Sequence, residues 1–268
     1  MRIALIAWCN NALVKYKVKP QASWGMLPPK GILAWKRHRC DLVFTASRMA
    51  KMATINCAKE GGHLNDKTLP LIAVMAGSST RKTRNPSTKN LALFNFLLPS
   101  LTKSVDCGFR YMFVIGYDLG DAYYDTEEGR KQVSDWFRIH VETLLARNGI
   151  SIYLTFASLH NTLKKPGPIF NAMARHVYED HNADYYYRVN DDTELVDRWP
   201  MVFVKALRSL SPPYGVVGPT CEQGNRDILT HDFVHKTHMQ VFEMNYYPPV
   251  LVDWWMDDWI SFVYGKSR

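Results

Sequence analysis

Apolar residues arrive along this chain in two alternating rhythms. From residue 68 onward, short continuous apolar runs closed by Gly, Ser or Asp alternate with longer stretches whose apolar residues recur at steps of three and four. The first rhythm predicts buried strands and the second predicts helices with one apolar face. "LPLIAVMAG" (69–77), "FRYMFVIGYDLGD" (109–121), "ISIYLTFA" (150–157) and "DYYYRV" (184–189) are read as four strands. Between them, Phe94, Leu97, Leu98 and Leu101 form one helical stripe, and Val133, Trp136, Phe137, Val141, Leu144 and Leu145 form a second. Phe170, Met173, Ala174, Val177 and Tyr178 form a third. The middle helix opens on Glu127 and Glu128 and closes on Arg147 and Gly149, as its dipole and C-cap favour.

Strands alternating with helices at this spacing predict an α/β fold, a mainly parallel sheet covered on both faces by helices. Ligands of such sheets bind beyond the carboxyl ends of the strands. After residue 199 the pattern changes. "WPMVFVKALRSL" is read as a helix and "YGVVGPTCEQGNRD" as a short strand with a turn-rich loop, ahead of a tail with "HDFVHKTHMQVF" and "DWWMDDWISFVYG". This part is expected to be built onto the first half, not to fold separately.

At 268 residues and 47% hydrophobic content, the chain can bury a sizeable core. The formal charge of +8 would point to a nucleic-acid partner if it were spread evenly. It is not: residues 1–67 hold a dozen basic side chains against only Asp41, Glu60 and Asp66, and the remainder is close to balanced. Residues 1–67 are therefore read as a separate basic segment, poor in periodicity and in signals for order, and residues 68–268 as the working domain. No basic-aromatic repeat marks a nucleic-acid surface, and no nucleic-acid partner is expected. No stretch reaches the roughly 18 apolar residues of a membrane span, and the N-terminal "MRIALIAWCNNALV" makes a poor signal peptide, so a soluble domain is the expectation. Five cysteines without paired spacing give no readable disulfide framework and favour a reducing compartment.

The fourth strand stops abruptly in "NDDTE". Asn, Asp and Thr are turn and cap residues, so one reading is a turn before "LVDRWP". The other makes Asp191 and Asp192 hard-oxygen ligands for Mg²⁺ or Mn²⁺. No Gly-rich phosphate loop is present: "AGSSTRKT" after the first strand matches neither GxGxxG nor a P-loop. A nucleotide bound here would need its diphosphate neutralised by a metal and nearby cations.

With a strand ending in "VIGYD", a helix "IFNAMARHVYEDHNA" and then a strand ending in "YYYRVNDD", residues 68–265 resemble glycosyltransferases of the GT-A fold, in particular the family-2-like group. The DxD-like motif is shifted, with either Asn190 and Asp192 or Asp192 and Glu194 as its ends. The resemblance implies a Rossmann-like GT-A domain that moves a sugar from a nucleotide-diphosphate donor to a carbohydrate, protein or lipid hydroxyl. It implies that Asp191 and Asp192 bind the metal and diphosphate, that Asp118 approaches the nucleoside, and that Ser78, Ser79, Thr80 and Arg81 wall the base and ribose. It also makes Asp258, with Asp257 next, the general base for the acceptor. Asp253, Asp257 and Asp258 stand among three tryptophans, and aromatic faces beside carboxylates suit a sugar cleft. A helix N-cap with core tryptophans is the plainer reading of the same stretch.

His231, His235 and His238 would share one face if "HDFVHKTHMQVF" were helical. The run has no HExxH pattern and no glutamate to act as base. It is read as hydrogen-bonded histidines or as the source of one further ligand, His238, for the aspartate-bound metal. Two alternatives to a transferase are a metal-dependent hydrolase built on these histidines, and a non-catalytic binding protein whose working part is the basic segment.

Overall fold

The computed structural model describes residues 55–57, 66–210, 215–221 and 225–264. The basic N-terminal segment read from the sequence lies outside these residues, apart from Ile55–Cys57 and the stretch from Asp66 onward. The strands are β1 (Leu71–Gly77), β2 (Arg110–Asp118), β3 (Ile152–Leu159), β4 (Tyr185–Asn190), β5 (Val216–Val217) and β6 (Asp232–His235). They form a single sheet in the order β3-β2-β1-β4-β6-β5. The first four strands run parallel, as the alternation predicts, and β6 is antiparallel to both β4 and β5.

Helices cover both faces, giving a mixed, mostly parallel α/β sheet of Rossmann-like form. One face carries α1 (Leu98–Ser104), α2 (Glu127–Phe137), α3 (Thr143–Arg147) and α5 (Pro200–Ser209) over Ile72, Val74, Tyr111, Phe113, Ile115 and Tyr187. The other carries α4 (Pro166–His176), α6 (Thr237–Val241) and α7 (Met256–Phe262) over Ala73, Met75, Met112, Val114 and Tyr186. Successive strand residues alternate between the two cores, which is why these strands are apolar throughout. π-helical turns precede α1 (Leu93–Leu97), join α2 to α3 (Arg138–Glu142) and follow α4 (Val177–His181). Thr126 caps α2 by accepting the Gly129 amide at 3.0 Å, and Glu127 and Glu128 occupy its first turn.

One reading left open in the sequence is settled and one expectation is corrected. The tail "HDFVHKTHMQVF" is not one helix: Asp232–His235 is a strand pairing with β4, and only Thr237–Val241 is helical. The strand periodicity in "DFVH" wins because β6 buries Phe233 and Val234 on opposite faces. Cys57 and Cys107 form a disulfide across 50 residues of chain. Their pairing follows from topology: the Cys57 amide donates to Asn148 O (2.8 Å), just before β3, while Cys107 lies just before the neighbouring β2. No sequence spacing announces that proximity.

Gly116 on β2 sets how closely α4 approaches the sheet. A Cβ there would come within 2.6 Å of Ile169 Cγ2 and of Met173 Sδ. Gly116→Ala is expected to lower stability by about 1–3 kcal/mol through overpacking. The shift in a urea unfolding midpoint, with slope unchanged, checks it.

Candidate functional site

The sheet order contains one reversal. From β1 the chain adds β2 and then β3 on one side, and then returns to place β4 on the other side of β1. In open α/β sheets the crevice for ligands opens at such a reversal, beyond the carboxyl ends of the two diverging strands. Here those ends are Gly77, followed by Ser78, and Asn190, followed by Asp191, and the two strand ends are in register.

Side chains bridge the crevice directly. Ser78 Oγ donates to Asp191 Oδ2 at 2.6 Å and lies 3.0 Å from the Tyr124 hydroxyl. Asp191 and Asp192 stand in a turn closed by the Thr193 amide on Asn190 O at 3.2 Å. The turn reading and the ligand reading are thus compatible, because the turn is what presents the two carboxylates side by side. Burial pushes the Asp191 carboxyl up to about 6, and the neighbouring Asp192 charge adds to this against the Ser78 hydrogen bond.

The loop after β1 alternates inward and outward. Thr80 is buried, its amide and hydroxyl donating to Asp121 at 2.8 and 2.7 Å. Asp121 also accepts the Tyr123 and Tyr124 amides at 3.0 Å, and these hydrogen bonds overcome burial to hold its carboxyl below the usual range. Ser79 and Arg81 face outward, with Arg81 Nε donating to Ser79 Oγ at 3.0 Å. Of the four loop residues singled out in the sequence, Ser78 and Thr80 therefore position the loop, whereas Ser79 and Arg81 are open to solvent.

Asp118 ends β2, ion-paired with Arg81 at 3.4 Å and accepting from Asn161 Nδ2 at 2.8 Å. Asn161 Oδ1 is buried and has no partner among the described residues. The same Asn161 Nδ2 donates to Lys165 O (2.8 Å), and Lys165 Nζ meets Asp253 Oδ2 at 2.5 Å. The tail loop thus docks on the start of α4, where the Gly167 amide donates to Val252 O at 2.9 Å. A Cβ on Gly167 would sit 2.5 Å from Leu251 O, so this approach needs glycine. Next along the loop, Trp254 and Trp255 are 67% and 60% exposed, too open for the core role the plainer reading assigned them. Trp255 has φ +72°, the left-handed region, immediately before α7.

Asp257 is half-buried and engaged by an arginine. It meets Arg188 Nη2 at 2.6 Å, and Arg188 is itself buried on β4 against Asp232. Burial nonetheless holds the Asp257 carboxyl above its ordinary range. Asp258, in the first turn of α7, is half-buried and is likewise raised by burial.

The three histidines do not converge. His231 Nε2 lies 2.9 Å from Thr193 Oγ1, His235 ends β6, and His238 is buried with its two ring nitrogens at the Tyr264 hydroxyl (2.6 Å) and Tyr246 O (2.8 Å). His238 has no nitrogen left for a metal, so the strand at 232–235 dissolves the helical face on which the hydrolase alternative rested. Among the described residues, no group of three His, Cys, Asp or Glu side chains could hold a metal ion. Sequence reading missed Asp121 and Arg188. An arginine inside the apolar "YYYRV" was the visible signal, since a buried guanidinium demands acidic partners.

Comparison with known proteins leaves the site to its own geometry: no family model matches the chain, and neither does any curated protein.

Burial pushes the His238 imidazole down to about 4; it pushes His231, aided by the Arg188 charge, down to about 3. The unfolded chain takes up both protons near pH 6.5, so their contribution to stability is complete above that pH. It is lost as pH falls toward the folded values, at about 1.4 kcal/mol per pH unit for each ring. Asp191 acts oppositely between its unfolded value and about 6, so the clean readout is a difference between variants. Urea titrations of His238→Gln between about pH 6 and 4.5 are expected to show a stability slope shallower than wild type by about 1.4 kcal/mol per pH unit.

Proposed function

We propose that this chain is a GT-A-type glycosyltransferase that moves a sugar from a nucleotide-diphosphate donor to an acceptor hydroxyl. One observation carries the reading: a turn holding Asp191 and Asp192 stands at the carboxyl end of β4, beside β1, at the reversal of the sheet. That is where an open α/β sheet takes its ligand.

The donor set fits a hard divalent ion. Two adjacent carboxylates without a third His, Cys, Asp or Glu partner among the described residues suit Mn²⁺ or Mg²⁺, which keep positions for water and phosphate oxygens. Burial, and then the Asp192 charge, raise the Asp191 carboxyl, and a bound cation would favour its charged form. Bound there, the ion would supply charge neutralisation for the departing diphosphate.

The chain's own residues take the other roles. Ser79 and Arg81, open to solvent after β1, would border the nucleoside, and Asp118 would offer an acceptor for ribose or base donors. Trp254 and Trp255 offer ring faces for the acceptor's C–H surfaces. Asp258 accepts the acceptor proton, for which a carboxyl raised by burial is the better base. Asp257 holds α7 in place through Arg188. The Cys57–Cys107 disulfide supports an oxidising compartment such as the secretory-pathway lumen, in place of the reducing one favoured by cysteine spacing. No helix among the described residues is long and apolar enough to cross a membrane.

Thermal-shift titration with UDP and GDP tests the reading. One of them is expected to raise the melting temperature only when Mn²⁺ is present, and Asp192→Ala is expected to abolish that rise. A metal-dependent rise that survives Asp192→Ala would sink the assignment. Asp258→Asn is expected to keep the nucleotide shift while lowering transfer about 10²- to 10⁴-fold, measured by release of nucleotide diphosphate; unchanged transfer removes Asp258 from the role of base.

A further inference from the structure

The π-helical turn Val177–His181 brings together two imidazoles that ordinary α-helical spacing would hold apart. In a π-helix residues five apart are stacked, and His176 and His181 are five apart. The partners on their Nδ1 sides leave both Nε2 atoms available as ligands. His176 Nδ1 lies 2.7 Å from Asp180 Oδ2, and because a carboxylate only accepts, Nδ1 carries the proton and Nε2 of the neutral ring is a lone pair. The Tyr153 hydroxyl lies 3.7 Å from Met112 Sδ and 3.4 Å from His181 Nδ1, so with its proton on the sulfur its oxygen accepts from that ring. In that tautomer His181 Nε2 is a lone pair as well.

These two Nε2 atoms are 3.3 Å apart, and Thr155 Oγ1 on β3 lies 3.0 Å from the first. Without an ion, one Nε2 carries a proton and donates to the other; with both lone pairs bare, the same separation suits a shared cation. A tetrahedral ion with Zn–N bonds of about 2.0–2.1 Å spans nitrogens about 3.3–3.4 Å apart. A carboxylate on the far nitrogen of a ligating histidine is the usual outer partner of zinc, and Asp180 stands there. Both rings are half-buried, open enough for an ion to enter.

We propose that His176 and His181 form a binding site for a borderline transition-metal ion, Zn²⁺ foremost, completed by Thr155 Oγ1 and water. Soft-to-borderline imidazole ligands separate it from the hard-oxygen pair Asp191 and Asp192. It also lies elsewhere. His176 is ten residues along α4 from Pro166, about 15 Å at the helical rise, on the side away from the carboxyl edge. With two protein nitrogens the ion is exchangeable, and it would clamp the end of α4 to β3 at the edge of the sheet.

Equilibrium dialysis of the chelator-treated full chain against Zn²⁺ tests this. Wild type is expected to hold one more equivalent than His181→Asn, and the same difference of one equivalent is expected when both chains also carry Asp192→Ala. Asp180→Asn is expected to keep the equivalent with affinity weakened about 10- to 100-fold. Equal zinc on wild type and His181→Asn overturns the proposal and leaves an ordinary N–H···N hydrogen bond between the rings. A second measurement needs no variant: imidazole ¹⁵N spectra of wild type are expected to show the Nε2 resonances of both rings moving on addition of Zn²⁺. Unmoved resonances overturn the proposal equally.

Discussion

The C-terminal third of the domain is assembled around one buried cation. Arg188, on β4, donates from Nε to Asp232 Oδ2 (2.9 Å) and the Tyr247 hydroxyl (2.8 Å), from Nη1 to Thr230 O (2.7 Å), and from Nη2 to Asp257 Oδ1 (2.6 Å). Its guanidinium also lies over the Phe170 and Tyr247 rings. Asp232 in turn accepts from the Tyr246 and Tyr247 hydroxyls. Two carboxylates on one guanidinium leave excess negative charge, and the two tyrosine hydroxyls are what satisfy it. A buried charge that loses a partner costs about 3–5 kcal/mol, so β6, the Tyr246–Tyr247 segment and α7 cannot drift from β4 one at a time. Arg188 precedes the Asp191 turn by three residues, which ties the placement of α7 to the strand that presents the carboxylates.

Much of the sheet could be read from the chain, because strands buried on both faces write themselves as continuous apolar runs. β1, β2, β3 and β4 were each anticipated to within a few residues, as were the helices between them. The elements that escaped were those whose identity depends on partners distant in sequence. Asp232–His235 is short, and only its pairing with β4, with Arg188 opposite Asp232, makes it a strand. The disulfide escaped for the same reason, since the contact between the segment at Cys57 and the loop before β2 exists only once β2 and β3 lie side by side.

The site was legible in its acids and less so in its scaffolding. Carboxylates that follow an apolar strand stand out in any sequence, and Asp118, Asp191 and Asp192 do lie at or just beyond strand ends. What Ser78, Thr80 and Asp121 do was hidden, because a hydroxyl after a strand looks the same whether it meets a ligand or a buried carboxylate. The π-helical turn after α4 was invisible for a deeper reason. The apolar stripe Phe170, Met173, Ala174, Val177 and Tyr178 follows the ordinary helical period and runs into the first two residues of the π-helical turn, so its spacing does not register the wider turn.

The Cys57–Cys107 bond also gives the domain a front and a back. Cys57 is held beside Asn148 and Cys107, each just ahead of a strand, and so at the end of the sheet opposite Asp118 and Asp191. Ile55 and Cys57 therefore lie at the rear of the domain. The disulfide joins the segment at Cys57 to the loop before β2, so it braces the sheet's amino end and leaves the carboxyl edge untouched. The crevice between β1 and β4 opens at the opposite end of the sheet, clear of that covalent brace.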